Sequence, residues 1–254
     1  MIQFRGFLRF WVFVGVALYY LVPILIRAAF RGDDLPYALR RRRVWAVKCS
    51  QLVGVRIDVD EPPAVEGPAL YVSNHRSYYD PVAVLRDVEA LPVAKAEVSG
   101  WPFIGFAARS TGVMWVIREN RESRKQTVEA IEDTLNEGHS VLIYPEGTTH
   151  TELKSMPFRQ GAFRVAAALG TPVIPIAIEY SRPEDAWIGS STFIPHFLTV
   201  FGRRRIYIKM RYGAPLTDTD PERLLQRTQE WIDAQVREMR KQWFEEEGFW
   251  ENRY

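Results

Sequence analysis

From residue 55 onward, seven short apolar runs alternate with segments of helical periodicity, and this alternation limits the fold more than any other feature. The strand candidates are 55–59, 69–73, 91–94, 113–117, 140–144, 173–179 and 206–211. Between them, residues 122–137 carry Val128, Ile131 and Leu135 at helical spacing, with Gly138 as the stop signal. Residues 161–169 run into Gly170, and a last helix over 221–245 follows Asp220. Its stripe of Leu224, Leu225, Trp231, Ile232, Val236, Met239 and Trp243 reads as a core face. Strands and helices in alternation predict an α/β fold, a single mainly parallel sheet flanked by helices. Residues 181–205, rich in Pro, Gly and aromatic rings, are the least regular stretch.

The N-terminus breaks this pattern. Phe10 to Ile26 is an uninterrupted apolar run with Arg5 and Arg9 before it and Arg27 and Arg31 after it. As a helix it reaches roughly 25 Å, slightly short of a hydrocarbon core of about 30 Å, and Pro23 is placed to kink it. Arginines after the run, and no small-residue cleavage site, disfavour a signal peptide. A transmembrane helix, a hairpin with residues 36–55 as second arm, and a buried core helix remain. In the hairpin, the block Arg40 to Arg43 would meet anionic headgroups. The heavier basic flank predicts that the domain after it lies on the cytoplasmic face. This divides the chain into a membrane-anchoring segment, 1–54, and one α/β domain, 55–254.

Charge and cysteine content exclude several classes. The net charge of +2 over 254 residues argues against nucleic-acid binding, and the single cysteine excludes an intrachain disulfide framework or a Cys-based metal site. Cys49 sits in an apolar stretch and reads as a small buried hydrophobe.

Chemistry concentrates at strand ends. Asn74-His75-Arg76-Ser77-Tyr78-Tyr79-Asp80-Pro81 follows a buried strand. A histidine there can act as a general base, and a carboxylate five residues on can orient it. Pro81 suits the first helical position, so Asp80 is expected as an N-cap. Tyr144-Pro145-Glu146-Gly147-Thr148 follows a second strand, Gly112 to Arg118 ends a third on an arginine suited to phosphate, and 171–177 is a buried strand containing two prolines. Each alone also fits an ordinary turn or a surface arginine.

In this order the four blocks resemble the glycerolipid acyltransferase family, of which the lysophosphatidic acid acyltransferases are the best-known members. That family carries Asn-His-x4-Asp, Gly-x5-Arg, Phe-Pro-Glu-Gly-Thr-Arg and a Pro-rich apolar strand. The resemblance covers roughly residues 55–215. It implies transfer of a fatty acyl group from acyl-CoA or acyl carrier protein (acyl-ACP) to the hydroxyl of 1-acylglycerol 3-phosphate, with no bound cofactor or metal. His75 and Asp80 would be catalytic. Asn74, Ser77, Lys95, Arg118, Glu146, Gly147, Thr148 and Arg159 would bind substrate, and membrane lipids would be the partners. Two departures bear on the acceptor. Thr149, followed by His150, stands where the family has its last arginine, and Ile117 replaces an acidic residue before Arg118. Arg118, Arg159, Lys154 and Lys95 are left as phosphate contacts. A different lysolipid, glycerol 3-phosphate or another lipid hydroxyl or amine is the alternative acceptor; a non-catalytic lipid-binding protein is the rival class.

Overall fold

The computed structural model describes residues 2–100, 110–117, 120–189 and 191–245. Two helices come first, α1 (Ile2–Arg31) and α2 (Leu35–Val53). The elements that follow are β1 (Val55–Val59), β2 (Leu70–Ser73), α3 (Asp80–Val84), β3 (Leu91–Lys95), β4 (Met114–Val116), α4 (Arg121–Asn136) and β5 (Val141–Ile143). Then come α5 (Gly161–Leu169), β6 (Val173–Tyr180), α6 (Phe193–Val200), β7 (Ile206–Tyr212) and α7 (Pro221–Glu245). The seven expected strands form one sheet in the order β1-β7-β6-β2-β5-β3-β4. Every pairing is parallel except β6 with β7.

Burial follows the two-residue period of a strand covered on both faces. Ile174, Ile176 and Ile178 of β6 enter one core, which is covered by α2, α3 and α6. Val173 and Ala177 enter the other, covered by α4, α5 and α7. The α7 stripe is a core face, with Leu224, Ile232, Val236 and Met239 all buried. Cys49 is buried, and burial pushes its thiol up to about 12. Pro175 is tolerated inside β6 because its carbonyl side faces Gly213, just past the last β7 pair at Ile176–Tyr212. Its missing N–H lies on that same side, outside the regular β6–β7 ladder.

The irregular stretch contains a helix that the sequence reading missed. Proline at Pro195 argued against one, yet it is the third residue of α6, where an N–H has no intrahelical partner anyway. α6 supports α1. Phe10 and Phe13 meet the Phe197 ring at 5.5 and 5.6 Å, and Arg9 donates to the carbonyls of Phe201, Arg203 and Arg204.

α1 is longer than its apolar run and continues through Pro23. Proline removes the N–H that would bond the carbonyl four residues back, at Tyr19. Arg41 of α2 fills that role, donating to Tyr19 and Tyr20 carbonyls at 3.0 Å each. The arginine block is therefore not a free basic face. Arg41 ties α2 to α1, and buried Arg42 holds the Thr111 and Ala90 carbonyls at 3.0 and 2.6 Å. Burial draws the Arg42 guanidinium down to about 10. Arg43 donates to the Arg86 carbonyl, and Arg40 stays exposed.

By length and composition, α1 is apolar enough to cross a membrane. Its outward stripe, Phe4, Phe7, Leu8, Trp11, Tyr19, Val22, Ile26 and Phe30, is exposed along the whole helix.

Gly6 lies directly against the Leu198 carbonyl, and a β-carbon there would overlap it. Gly6→Ala should destabilise the protein by about 1–3 kcal/mol in urea unfolding, although alanine is the better helix former. A stabilised variant would show that α1 does not dock on α6.

Candidate active site

The site forms at the carboxyl ends of the central strands, where open α/β sheets place ligands. β2 stops because Asn74 turns its amide onto β6, donating to the Ile178 carbonyl at 2.9 Å and accepting the Ile178 N–H at 2.8 Å. His75 follows, and its Nδ1 lies 2.8 Å from Asp80 Oδ2. The same oxygen accepts the Arg76 and Ser77 N–H groups at 2.6 and 2.8 Å, and Oδ1 accepts the Tyr180 hydroxyl at 2.8 Å. Asp80 is wholly buried.

Asp80 is therefore not the N-cap that Pro81 suggested. It is the first residue of α3, Tyr79 is the cap, and the carboxylate reaches back to loop N–H groups. The turn between His75 and Asp80 curls so tightly that those N–H groups lie nearer than the helix's own.

These contacts settle the imidazole's tautomer. A carboxylate surrounded by donors only accepts, so His75 Nδ1 carries the proton and donates it. In that tautomer Nε2 is the acceptor nitrogen, and it has no protein partner among the described residues. Burial, and after it the Asp80 charge, push the Tyr180 phenol well up, so it remains a donor. Tyr144 stacks on the imidazole, with ring centres 4.2 Å apart and planes at 27°. Burial also raises its phenol.

His75 borders a cavity of about 750 Å³. Its more polar lining includes Tyr78, Lys95, Gly147, Thr148, Thr149, Arg159 and Trp187. Its apolar wall comes from Phe13, Val14, Ala17, Leu21 and Ile24 of α1 and Trp45 of α2.

Four of the expected substrate contacts therefore line the cavity: Lys95, Gly147, Thr148 and Arg159. Lys95 pairs with Glu97 at 2.8 Å. Arg159 packs on Gly147, whose φ of 72° and missing side chain let the guanidinium approach. Three others are turned elsewhere. Asn74 is spent on Ile178. Ser77 is buried and gives its N–H to Asp80. Glu146 is buried, accepting the N–H groups of His75 at 2.9 Å and Met156 at 2.7 Å and the His150 ring. Arg118 lies outside the described residues. Lys154 is exposed and does not line the cavity. Thr149 donates its hydroxyl to the Trp187 carbonyl.

Sequence reasoning passed over Arg76 and Tyr180. Arg76, nearly fully buried, bonds Glu179 and the carbonyls of His150 and Glu152. An arginine next to the motif histidine was the available signal; Tyr180 gave none, being one aromatic ring in a buried strand.

A profile of the family described as acyltransferase matches residues 54–179. This chain belongs to the acyltransferase family. The family reading and the enzyme class, an O-acyltransferase, thus rest on sequence as well as on the blocks. The lyso-ornithine lipid O-acyltransferase of Rhodobacter capsulatus is 29% identical over 191 residues, 71% of this chain and 68% of that protein. The 1-acyl-sn-glycerol-3-phosphate acyltransferase of Salmonella typhimurium is 30% identical over 136 residues, 52% of this chain and 56% of that protein. Against that relative the match spans little more than half its length. The crystal structure of the 1-acyl-sn-glycerophosphate acyltransferase of Thermotoga maritima has the same fold, with a TM-score of 0.67. It covers 94% of this chain and 98% of its own at 20% identity.

Tyr180→Phe leaves Asp80 Oδ1 without its hydroxyl donor in a buried position. The expected cost is about 1–3 kcal/mol in chemical unfolding, with acyltransferase turnover falling as well. An unchanged unfolding midpoint would show that the hydroxyl does not support the carboxylate.

Proposed function

We propose that this acyltransferase moves a fatty acyl group from a coenzyme A or carrier-protein thioester to the free hydroxyl of a lysolipid, 1-acylglycerol 3-phosphate in the first reading. The observation that carries this is the Nε2 of His75, without a partner among the described residues, on the lining of a largely apolar cavity. His75 takes the proton of the acceptor hydroxyl through Nε2. The alcohol oxygen attacks the thioester carbonyl, the carbon–sulfur bond breaks, and the thiolate leaves with the proton that His75 returns. Asp80 holds the ring and stabilises the imidazolium as it forms. The step needs no protein nucleophile. The apolar wall suits a fatty tail, and Lys95 and Arg159 in the polar lining suit an anionic headgroup or the donor's phosphates.

A second reading changes the acceptor. Thr149 is uncharged and engaged with Trp187, and relatives named lyso-ornithine lipid O-acyltransferase match more of this chain than the Salmonella protein does. An amino-acid lipid bearing a free hydroxyl fits such a lining.

The exposed stripe of α1 supports association with a membrane, with residues 1–54 as the anchor and 55–254 as the catalytic domain on the cytoplasmic face. Because the opposite face of α1 forms the cavity wall, the helix would lie in one leaflet rather than span the bilayer. A lysolipid could then enter from the bilayer while the thioester arrives from water.

His75→Ala should lose about 10²–10⁴-fold in acceptor-dependent thiol release while keeping the wild-type circular dichroism spectrum. Near-normal turnover by the folded variant would exclude the mechanism. One acyl-CoA assayed with 1-acylglycerol 3-phosphate, lyso-ornithine lipid and glycerol 3-phosphate separates the acceptors. Thiol release that ignores every acceptor would indicate a thioesterase instead.

A further inference from the structure

We propose that His150 is a positioning residue for the transfer, holding His75 through Glu146; this rests on the acyl-transfer reading. His75 is gripped at both polar atoms of its backbone by the segment from Glu146 to His150. Its N–H donates to Glu146 Oε1 at 2.9 Å, and its carbonyl accepts the His150 N–H at 3.3 Å. The other oxygen of Glu146 accepts the Met156 N–H at 2.7 Å and meets Nε2 of the His150 ring.

The ring's proton has one possible place. His150 Nδ1 faces two donors, the Glu152 N–H at 3.2 Å and the Arg76 guanidinium at 3.3 Å. Nδ1 therefore accepts, and the proton sits on Nε2, directed at Glu146. Both His150 and Glu146 are buried, so water does not readily replace either partner. Arg76 would be the nearest alternative donor, but it is held by Glu179 and by the carbonyls of His150 and Glu152.

Thr149, at the position where the resemblance places an arginine, points its hydroxyl at Trp187. The next side chain is the one that reaches the carboxylate. Removing its N–H takes from Glu146 its one side-chain donor and leaves the carboxylate held by the His75 and Met156 N–H groups alone, and the His75 backbone then shifts relative to Asp80 and the cavity. Such a displacement affects turnover more than thioester binding, because reacting groups must meet within a few tenths of an ångström.

Two near-isosteric substitutions in the full-length protein test this. The amide nitrogen of His150→Gln reaches the Nε2 position, whereas that of His150→Asn reaches the Nδ1 position, where donors already point. Purified variants are assayed for kcat and thioester KM, and the His75 Nδ1–H resonance is followed by proton–nitrogen NMR. His150→Gln should keep kcat within about threefold, and His150→Asn should lose about 10–100-fold with little change in KM and a shifted His75 resonance. Equal kcat for the two variants, an unmoved His75 resonance in the asparagine variant, or a large loss in folded His150→Gln would overturn the proposal. If wild-type protein released no thiol in response to any acceptor, the acyl-transfer reading would fail; the contrast in the His75 resonance would still decide the positioning.

Discussion

A buried carboxylate is the constraint around which the site is arranged. Removing Asp80 from water costs several kcal/mol unless hydrogen bonds replace hydration. Here two backbone N–H groups, a tyrosine hydroxyl and an imidazole N–H do so. Each charge-assisted bond contributes roughly 1.5–3 kcal/mol, so losing any of them is felt both by the fold and by the ring that faces the cavity. The same interaction that keeps the carboxylate buried also holds the imidazole with its basic nitrogen outward.

The donors come from distant parts of the chain, and the strand order explains how they meet. β2 lies between β6 and β5, so the turn after β2 has β6 on one side and β5 on the other. β6 contributes Tyr180 and the Ile178 backbone, and the segment after β5 contributes Tyr144 and Glu146. Asn74 and Glu146 thus act as braces for the turn. Of the residues expected to bind substrate, Lys95, Gly147, Thr148 and Arg159 line the cavity. α1 completes the cavity from outside the sheet, with one face toward the cavity and the other exposed.

Much of this was legible from residue types. All seven strands, α4, α5 and α7 follow from period and from glycine stops, because a sheet buried on both faces leaves continuous apolar runs. The pairing of His75 with Asp80 was readable from spacing. Its geometry was not: Asp80-Pro81 fits an N-cap equally well, and only the path of the loop brings the Arg76 and Ser77 N–H groups to the carboxylate. α6 was hidden because Pro195 reads as a breaker unless its place in the first helical turn is known. The arginine block at 40–43 was given a lipid-facing role only in the hairpin alternative, and no periodicity shows that Arg41 covers carbonyls beside Pro23 or that Arg42 is buried against Thr111 and Ala90. The hydrogen bonds of Asn74, Ser77 and Glu146 were hidden for a related reason: the sequence does not tell whether a polar residue beside a reactive group faces a ligand or holds the backbone, and these three hold the backbone.

The most direct measurement of the central claim is acceptor-dependent thiol release by Asp80→Asn. An amide keeps the shape but replaces one of the two accepting oxygens by an NH2 group in a pocket built of donors, so it disturbs the bonding that fixes His75 and removes the charge that stabilises the imidazolium. The account predicts a folded protein with turnover lowered by about 10²–10⁴-fold. A folded Asp80→Asn protein that transfers acyl groups at the wild-type rate would contradict it.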